Sequence, residues 1–101
     1  MSDKERIALL QTAFKRAHGV EAVHVESVPV IDTFGGQVAW EGIVDVFDIK
    51  GHPDVRRGYG WPYGEKDGEI QYTTVLGKIP VNSPLGAVRA FIRSRADKRP
   101  A

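Results

Sequence analysis

One run of sequence, VAWEGIVDVFDIK at 38–50, limits the folds open to this chain more than any other. It is rich in β-branched and aromatic residues, and its charges recur at every second to fourth position, which is typical of a half-buried strand. Val44 and Val46 fall on one face of that strand, whereas Glu41 and Asp45 fall on the other. Because an unpaired buried carboxylate is costly, the valine face is predicted to form the core.

The residues that follow predict a hairpin. A four-residue loop at 51–54 has a common hairpin length, and it places Val46 opposite Tyr59 and Val44 opposite Trp61. A slip of one residue would turn both rings away from the core, so the hydrophobic pattern favours this register. Tyr59 and Trp61 are therefore expected to lie beneath the helices.

The remaining elements are predicted from periodicity, glycines and prolines. Helices are expected at 2–18, capped by Ser2, and from Pro84 onward, capped by Asn82 or Ser83. Strands are expected at 21–31, 38–50, about 55–63 and 69–79.

Short connections between these strands predict an antiparallel meander. The expected fold class is α+β, a two-layer sandwich in which a four-stranded antiparallel meander sheet carries an N-terminal and a C-terminal helix on one face, in the order α-β-β-β-β-α. A loop at 33–36 would pair Val25 with Val44, and Trp61 is expected opposite Tyr72. Residues 1–101 are predicted to form a single α+β domain, with 96–101 as a frayed tail.

Composition excludes several function classes. The 101 residues include 42% hydrophobic and 27% charged residues, the usual balance of a soluble globular domain. No cysteine is present, which rules out disulfides, thiolate catalysis and cysteine-bound zinc. The N-terminal MSDKERIALL lacks the long apolar core of a signal peptide, and no apolar run reaches a membrane span, so we expect a cytoplasmic protein without membrane contact.

One cluster could carry chemistry. His24 is expected to lie across from Asp45, with Glu26 and Glu41 on the same face, and such a group could orient a general base or ligate a metal. An exposed cross-strand charge pair is the commoner meaning of this pattern. No nucleophile elbow, phosphate loop or paired-histidine motif accompanies it. We therefore predict no cofactor and no metal, and favour a non-enzymatic role.

A second pattern points to nucleic acid. The segment Arg57-Gly58-Tyr59-Gly60-Trp61 resembles the start of the ribonucleoprotein octamer of RNA-recognition domains and, in shorter form, of cold-shock proteins. The resemblance covers five positions and implies RNA or single-stranded nucleic-acid binding, with the rings stacking on bases. Arg93 and Arg95, in the basic stretch at the end of the chain, are the candidate phosphate contacts. A stacking platform must face away from the helices, opposite to the register predicted above.

The preferred interpretation is a protein-interaction module that uses the open sheet face. That face is expected to be more apolar than a solvated sheet normally is, with a charged rim, which is typical of an interface. Self-association or binding of a protein partner is the expected use. The predicted contact residues are Val28, Val30, Ile43, Phe47, Val75 and, at the rim, Arg56, together with Ala39.

Overall fold

The computed structural model describes residues 3–77 and 83–97. In that part of the chain, two helices and four strands follow one another in the predicted order, which confirms the α+β class. Their bounds are α1 Asp3–His18, β1 Glu21–Phe34, β2 Gln37–Lys50, β3 Arg57–Lys66, β4 Glu69–Leu76 and α2 Pro84–Asp97. Residues 96 and 97 belong to α2, and the rest of the predicted frayed tail, 98–101, lies outside the described residues.

The sheet is the predicted antiparallel meander, with strand order β1-β2-β3-β4. The central hairpin has the predicted register, since Val46 pairs with Tyr59 and Asp48 with Arg57. Tyr59 and Trp61 are buried, as the hydrophobic pattern required. This hairpin is the part of the fold that its side-chain alternation specifies best.

The two helices cover opposite faces of this sheet. Leu10 and Phe14 of α1 join one core cluster, whereas Ala87 and Val88 of α2 join another. The strand residues of the first cluster are Ala22, Phe47 and Ile49, and those of the second are Val30, Val44, Val46, Tyr59 and Trp61. Because successive residues of a strand point to opposite faces, the layers run helix, sheet, helix. The prediction of both helices on one face was wrong.

Two glycines of β3 make room for α1. A Cβ added to Gly58 would lie 2.7 Å from Cε1 of Phe14, and one added to Gly60 would lie 2.8 Å from Cδ2 of Leu10. These side chains therefore rest directly on the backbone of β3. Glycine at both positions allows the close approach of helix and sheet.

Two strand registers differ from the expectation. Gly35 and Gly36 both have positive φ and form a two-residue turn. This turn, together with a further register shift between Asp32 and Thr33, places Val28, instead of Val25, opposite Val44. Trp61 pairs with Thr73 and not with Tyr72. The slip between β3 and β4 turns Val75 to the α2 face.

Local signals explain where the chain turns. Asp67 and Gly68 both have positive φ, as a two-residue hairpin turn with right-handed strand twist requires. Ser83 caps α2, because its Oγ accepts a hydrogen bond from the Gly86 N–H at 3.0 Å. The predicted caps Ser2 and Asn82 lie outside the described residues.

Candidate functional site

A fully buried carboxylate lies between α1 and the sheet. The side chain of Asp45 has 0% exposure and accepts hydrogen bonds from Arg6 Nε at 2.7 Å and from a second Arg6 nitrogen at 3.1 Å. Ser27 Oγ donates to Asp45 Oδ1 at 2.6 Å, and His24 Nε2 lies 3.0 Å from the same oxygen. Arg6 also contacts Asp3 at 2.7 Å. The cluster thus joins α1 to β1 and β2.

These contacts set the ionisation of Asp45. Burial by itself would raise the pKa of the Asp45 carboxyl, but the hydrogen bonds from Arg6, Ser27 and His24 outweigh it and lower the pKa below its usual value. The carboxylate is therefore ionised and neutralised by Arg6. A buried aspartate with this set of donors stabilises the docking of α1.

The predicted proximity of His24 and Asp45 is confirmed, although the two residues are not directly opposite each other in the sheet. His24 pairs directly with Phe47 and reaches Asp45 diagonally, because a bulge follows it in β1. Ser27 Oγ lies 3.3 Å from His24 Nε2, the nitrogen that also faces Asp45. In a catalytic triad the serine and the carboxylate contact different ring nitrogens, so this group does not have triad geometry.

The other carboxylates of the predicted cluster are dispersed. Glu26 pairs with Val46 and so lies on the α2 face, whereas Glu41 is exposed opposite Ile31. Among residues 3–77 and 83–97, no group of three or more histidine, aspartate and glutamate side chains has metal-site geometry. The expectation that Glu26 and Glu41 flank Asp45 on one face was wrong for Glu26.

Arg6 and Ser27 were not found from the sequence. Arg6 lies on the first turns of an amphipathic helix, where a cation is ordinarily solvated. Its partner is 39 positions away in sequence. Only the position of Asp45 in β2 could have indicated such a partner. If both faces of β2 are packed, a carboxylate in the middle of the strand requires a cation close to it.

The predicted contact face does not exist as one surface. Phe47 is fully buried against Phe14, and Val30 is buried on the α2 side. Val28 and Val75 also pack against the α2 cluster. Residue by residue, three of the predicted contact positions are exposed, namely Ala39, Ile43 and Arg56. The open sheet face predicted from sequence was wrong because α1 packs on Phe47 and because two register shifts in β1 place Val28 and Val30 on the α2 face.

The segment that resembles the ribonucleoprotein octamer is folded inward. Tyr59 and Trp61 are buried on the α2 face, and the Trp61 ring lies 5.7 Å from that of Phe91, edge to face. Rings in this position cannot stack on bases. Arg57 and Arg93 are exposed. The side chain of Arg95 lies outside the described residues.

Part of the β2 edge that faces β3 is not paired with another strand of the described sheet. Hydrogen-bonding direction alternates along an antiparallel strand, and Ile49 N–H donates to Arg56 O at 2.9 Å across the β2–β3 hairpin. The odd-numbered residues of β2 therefore direct their backbone groups toward β3, and this pairing ends at Asp45 and Gly60. Ile43, the next odd residue, faces the level of Pro62, whose nitrogen has no hydrogen to donate. β2 and β3 separate there.

We call the groove between the separating strands the fork. It has a volume of about 350 Å³ and is lined by Arg6, Trp40, Glu41, Gly42, Ile43 and Pro62. The end of the β1–β2 hairpin beside it exposes apolar side chains, with 42% of Ile43, 58% of Ile31 and 58% of Val38 accessible to solvent. Part of the apolar surface left uncovered by both helices thus lies beside the fork.

Comparison with known proteins found no match to this chain among family models, curated proteins or solved structures. Within residues 3–77 and 83–97, neither helix is long and apolar enough to span a membrane.

Proposed function

We propose that this chain is a non-enzymatic, cytoplasmic protein-interaction module, and that the fork receives an extended segment of a partner protein. One observation carries the proposal: at Ile43 the edge of β2 that faces β3 has no strand partner in the described sheet and lies beside exposed apolar side chains. Strand addition uses this combination, in which main-chain hydrogen bonds supply affinity and side-chain contacts supply specificity.

The side chains of the fork suit an extended apolar segment. The Trp40 ring folds back over Gly42, where an added Cβ would lie 2.9 Å from the ring, and so presents a flat wall beside β2. Pro62 and Ile43 line the same groove. Tryptophan is a common anchor in protein interfaces.

Charge at the fork favours a protein segment over nucleic acid. The charged side chains that line it are Arg6 and Glu41. Arg6 is already neutralised by the buried carboxylate of Asp45. Binding to a phosphate backbone relies on several unpaired cations, and the fork does not offer them. An uncharged, β-branched segment fits better.

Selection from a library of random displayed peptides, on the immobilised 101-residue chain, tests the proposal. We expect extended apolar peptides to be enriched and, in ¹⁵N-labelled protein, to shift the amide signals of Glu41 and Ile43. Ile43→Lys should weaken their binding by about tenfold or more, equivalent to about 1.4 kcal/mol, because it places a cation in the groove.

Ile92→Lys is the matched control, since Ile92 is similarly exposed but lies on α2. It should leave peptide affinity unchanged. Failure to enrich any peptide, or enriched peptides that bind the Ile43→Lys variant as tightly as the wild type, would contradict the proposal.

A further inference from the structure

A buried indole nitrogen has no hydrogen-bond partner. Within residues 3–77 and 83–97, Trp61 Nε1 is the one buried side-chain nitrogen or oxygen that lacks a partner, and Trp61 has 0% exposure. A buried tryptophan N–H usually finds an acceptor, because an unpaired buried donor is costly. Such atoms are few in folded proteins, and each has a specific cause.

The side chains packed around Trp61 are mostly apolar. Its ring meets those of Trp40 and Phe91 edge to face, at centroid distances of 6.0 and 5.7 Å. The other buried members of its cluster are Val30, Val44, Val46, Tyr59, Ala87 and Val88. The Tyr59 ring lies against Gly77, where an added Cβ would be 3.3 Å from Cε2 of the ring. A buried water needs several polar partners, which these side chains do not offer.

Trp61 lies where β2 and β3 separate. The last pair between the two strands is Asp45–Gly60, so Trp61 is the first residue of β3 beyond it. On the β2 side, the Trp40 ring contacts the Trp61 ring and also lines the fork. Trp40 is thus a side chain that the fork and Trp61 share.

The Trp40 ring rests on backbone and is only partly buried. A Cβ added to Gly42 would lie 2.9 Å from Cη2 and 3.0 Å from Cζ2 of this ring, so the ring packs directly on the Gly42 main chain. No side chain of residue 42 locks it in place. A change of the Trp40 side-chain torsions can therefore move the ring without displacing β2.

We infer that a carbonyl oxygen of the segment bound in the fork accepts a hydrogen bond from Trp61 Nε1, and that the Trp40 ring shifts to admit it. This inference rests on the proposed function and names the group that the partner supplies. A neutral carbonyl suits an apolar cluster, because a carboxylate would bring an unpaired charge into it. An extended segment presents carbonyls at regular intervals along each edge. Binding then pairs a donor that the free protein leaves unpaired.

Two indole signals make this hydrogen bond visible. The chain contains two tryptophans, so Trp40→Phe assigns both indole N–H signals of ¹⁵N-labelled protein. The probes are the peptides enriched by selection on the immobilised chain. At saturation, the Trp61 indole proton should move downfield, as a new hydrogen bond requires, while the Ile43 amide shifts at the same peptide concentrations.

The outcomes separate this inference from the proposed function. If the Ile43 amide shifts and the Trp61 indole signal stays unchanged, the inference is overturned and the proposed function stands. If no peptide is enriched, both fail.

Gly42→Ala tests the position of Trp40 without a peptide. The new Cβ has the Trp40 ring as its close neighbour, so it displaces that ring and should let water reach Trp61. Exchange of the Trp61 indole proton with solvent should become about tenfold faster or more. Ile43→Ala is the matched control, because it changes the next residue of the fork and adds no atom against Trp40. Equal exchange in Gly42→Ala and the wild type would contradict the inference.

Trp61→Phe keeps an aromatic ring and removes the N–H. It should weaken binding of the enriched peptides about twofold to tenfold, the usual contribution of one hydrogen bond. Val88→Ala is the matched control, since it removes volume from the same cluster but no donor, and it should leave peptide affinity unchanged. Circular dichroism checks that both variants fold. Peptide affinity of Trp61→Phe equal to that of the wild type would overturn the inference.

Discussion

Asp45→Asn tests the role of the buried carboxylate most sharply. Asparagine keeps the shape of the side chain but replaces one acceptor oxygen with an NH₂ group and removes the charge. Arg6 donates to both oxygens of Asp45, at 2.7 and 3.1 Å. The substitution therefore leaves a largely buried guanidinium with only the exposed carboxylate of Asp3 as a counter-charge.

The expected loss follows from the geometry. Removing one partner of a buried ion pair costs about 3–5 kcal/mol. Arg6 keeps 18% exposure and its contact with Asp3, so we expect the lower end, about 3 kcal/mol. For a domain of this size that corresponds to a fall of roughly 12–24 °C in melting temperature, at about 4–8 °C per kcal/mol. Urea unfolding and thermal circular dichroism measure both quantities.

Asp32→Asn is the matched control. Asp32 is also buried, but its partner Arg89 is 57% exposed and their contact is 3.1 Å, so Arg89 stays hydrated and the loss should be below about 1 kcal/mol. Arg6→Met added to Asp45→Asn should recover part of the stability, because no unpaired charge remains buried. Equal losses for the two asparagine variants would refute the reasoning.

Two further predictions concern pH and packing. The pKa of Asp45 is lower in the folded protein than in the unfolded chain, so its contribution is complete above about pH 4 and lost as pH falls through the folded pKa. Urea midpoints measured from neutral to acidic pH should decline less steeply in Asp45→Asn than in the wild type, and parallel curves would count against the assignment. Gly58→Ala should destabilise the fold by about 1–3 kcal/mol, because its Cβ would meet Phe14 and Ile49 at 2.7 Å. Gly51→Ala, where space is open but φ is positive, measures the cost of backbone strain without a clash, a cost that Gly58→Ala does not carry.

The fold could be predicted wherever side-chain alternation and turn residues agreed. The β2–β3 register followed from placing Tyr59 and Trp61 on the valine face, and the structure confirms it. The order of the helices and the position of Pro84 at the start of α2 could also be predicted from the sequence. These features depend on residues close together in sequence.

Neutralisation of a charge by a residue far away in sequence could not be predicted in the same way. Asp45 indicated a solvated face because no residue near it in sequence could neutralise it, and the prediction of both helices on one face followed. Arg6 supplies the charge from another element, which allows α1 to cover that face. Pro29 indicated an edge strand or a bulge in β1, but the positions of the two register shifts, after His24 and after Asp32, had no sequence signal. Together they place Val28 and Val30 on the α2 face.

The fork could be predicted only in part. Ile43 was expected to be a contact residue and is exposed. The separation of β2 from β3 depends on Pro62, which lies in a central strand, where proline ordinarily argues against the strand itself. Pro62 has no N–H. Because hydrogen-bonding direction alternates along the strands, the position of that missing N–H faces the fork and not β4.

The central structural claim is that the helices cover opposite faces of the sheet and leave the fork uncovered. Nuclear Overhauser effects in ¹³C- and ¹⁵N-labelled protein test it directly. We predict contacts from the Phe14 ring to the Gly58 α-protons and from the Val88 methyl groups to the core side chains of the opposite face, such as Val44 and Trp61. Contacts from both Phe14 and Val88 to Val44 would place the two helices on one face and contradict the account.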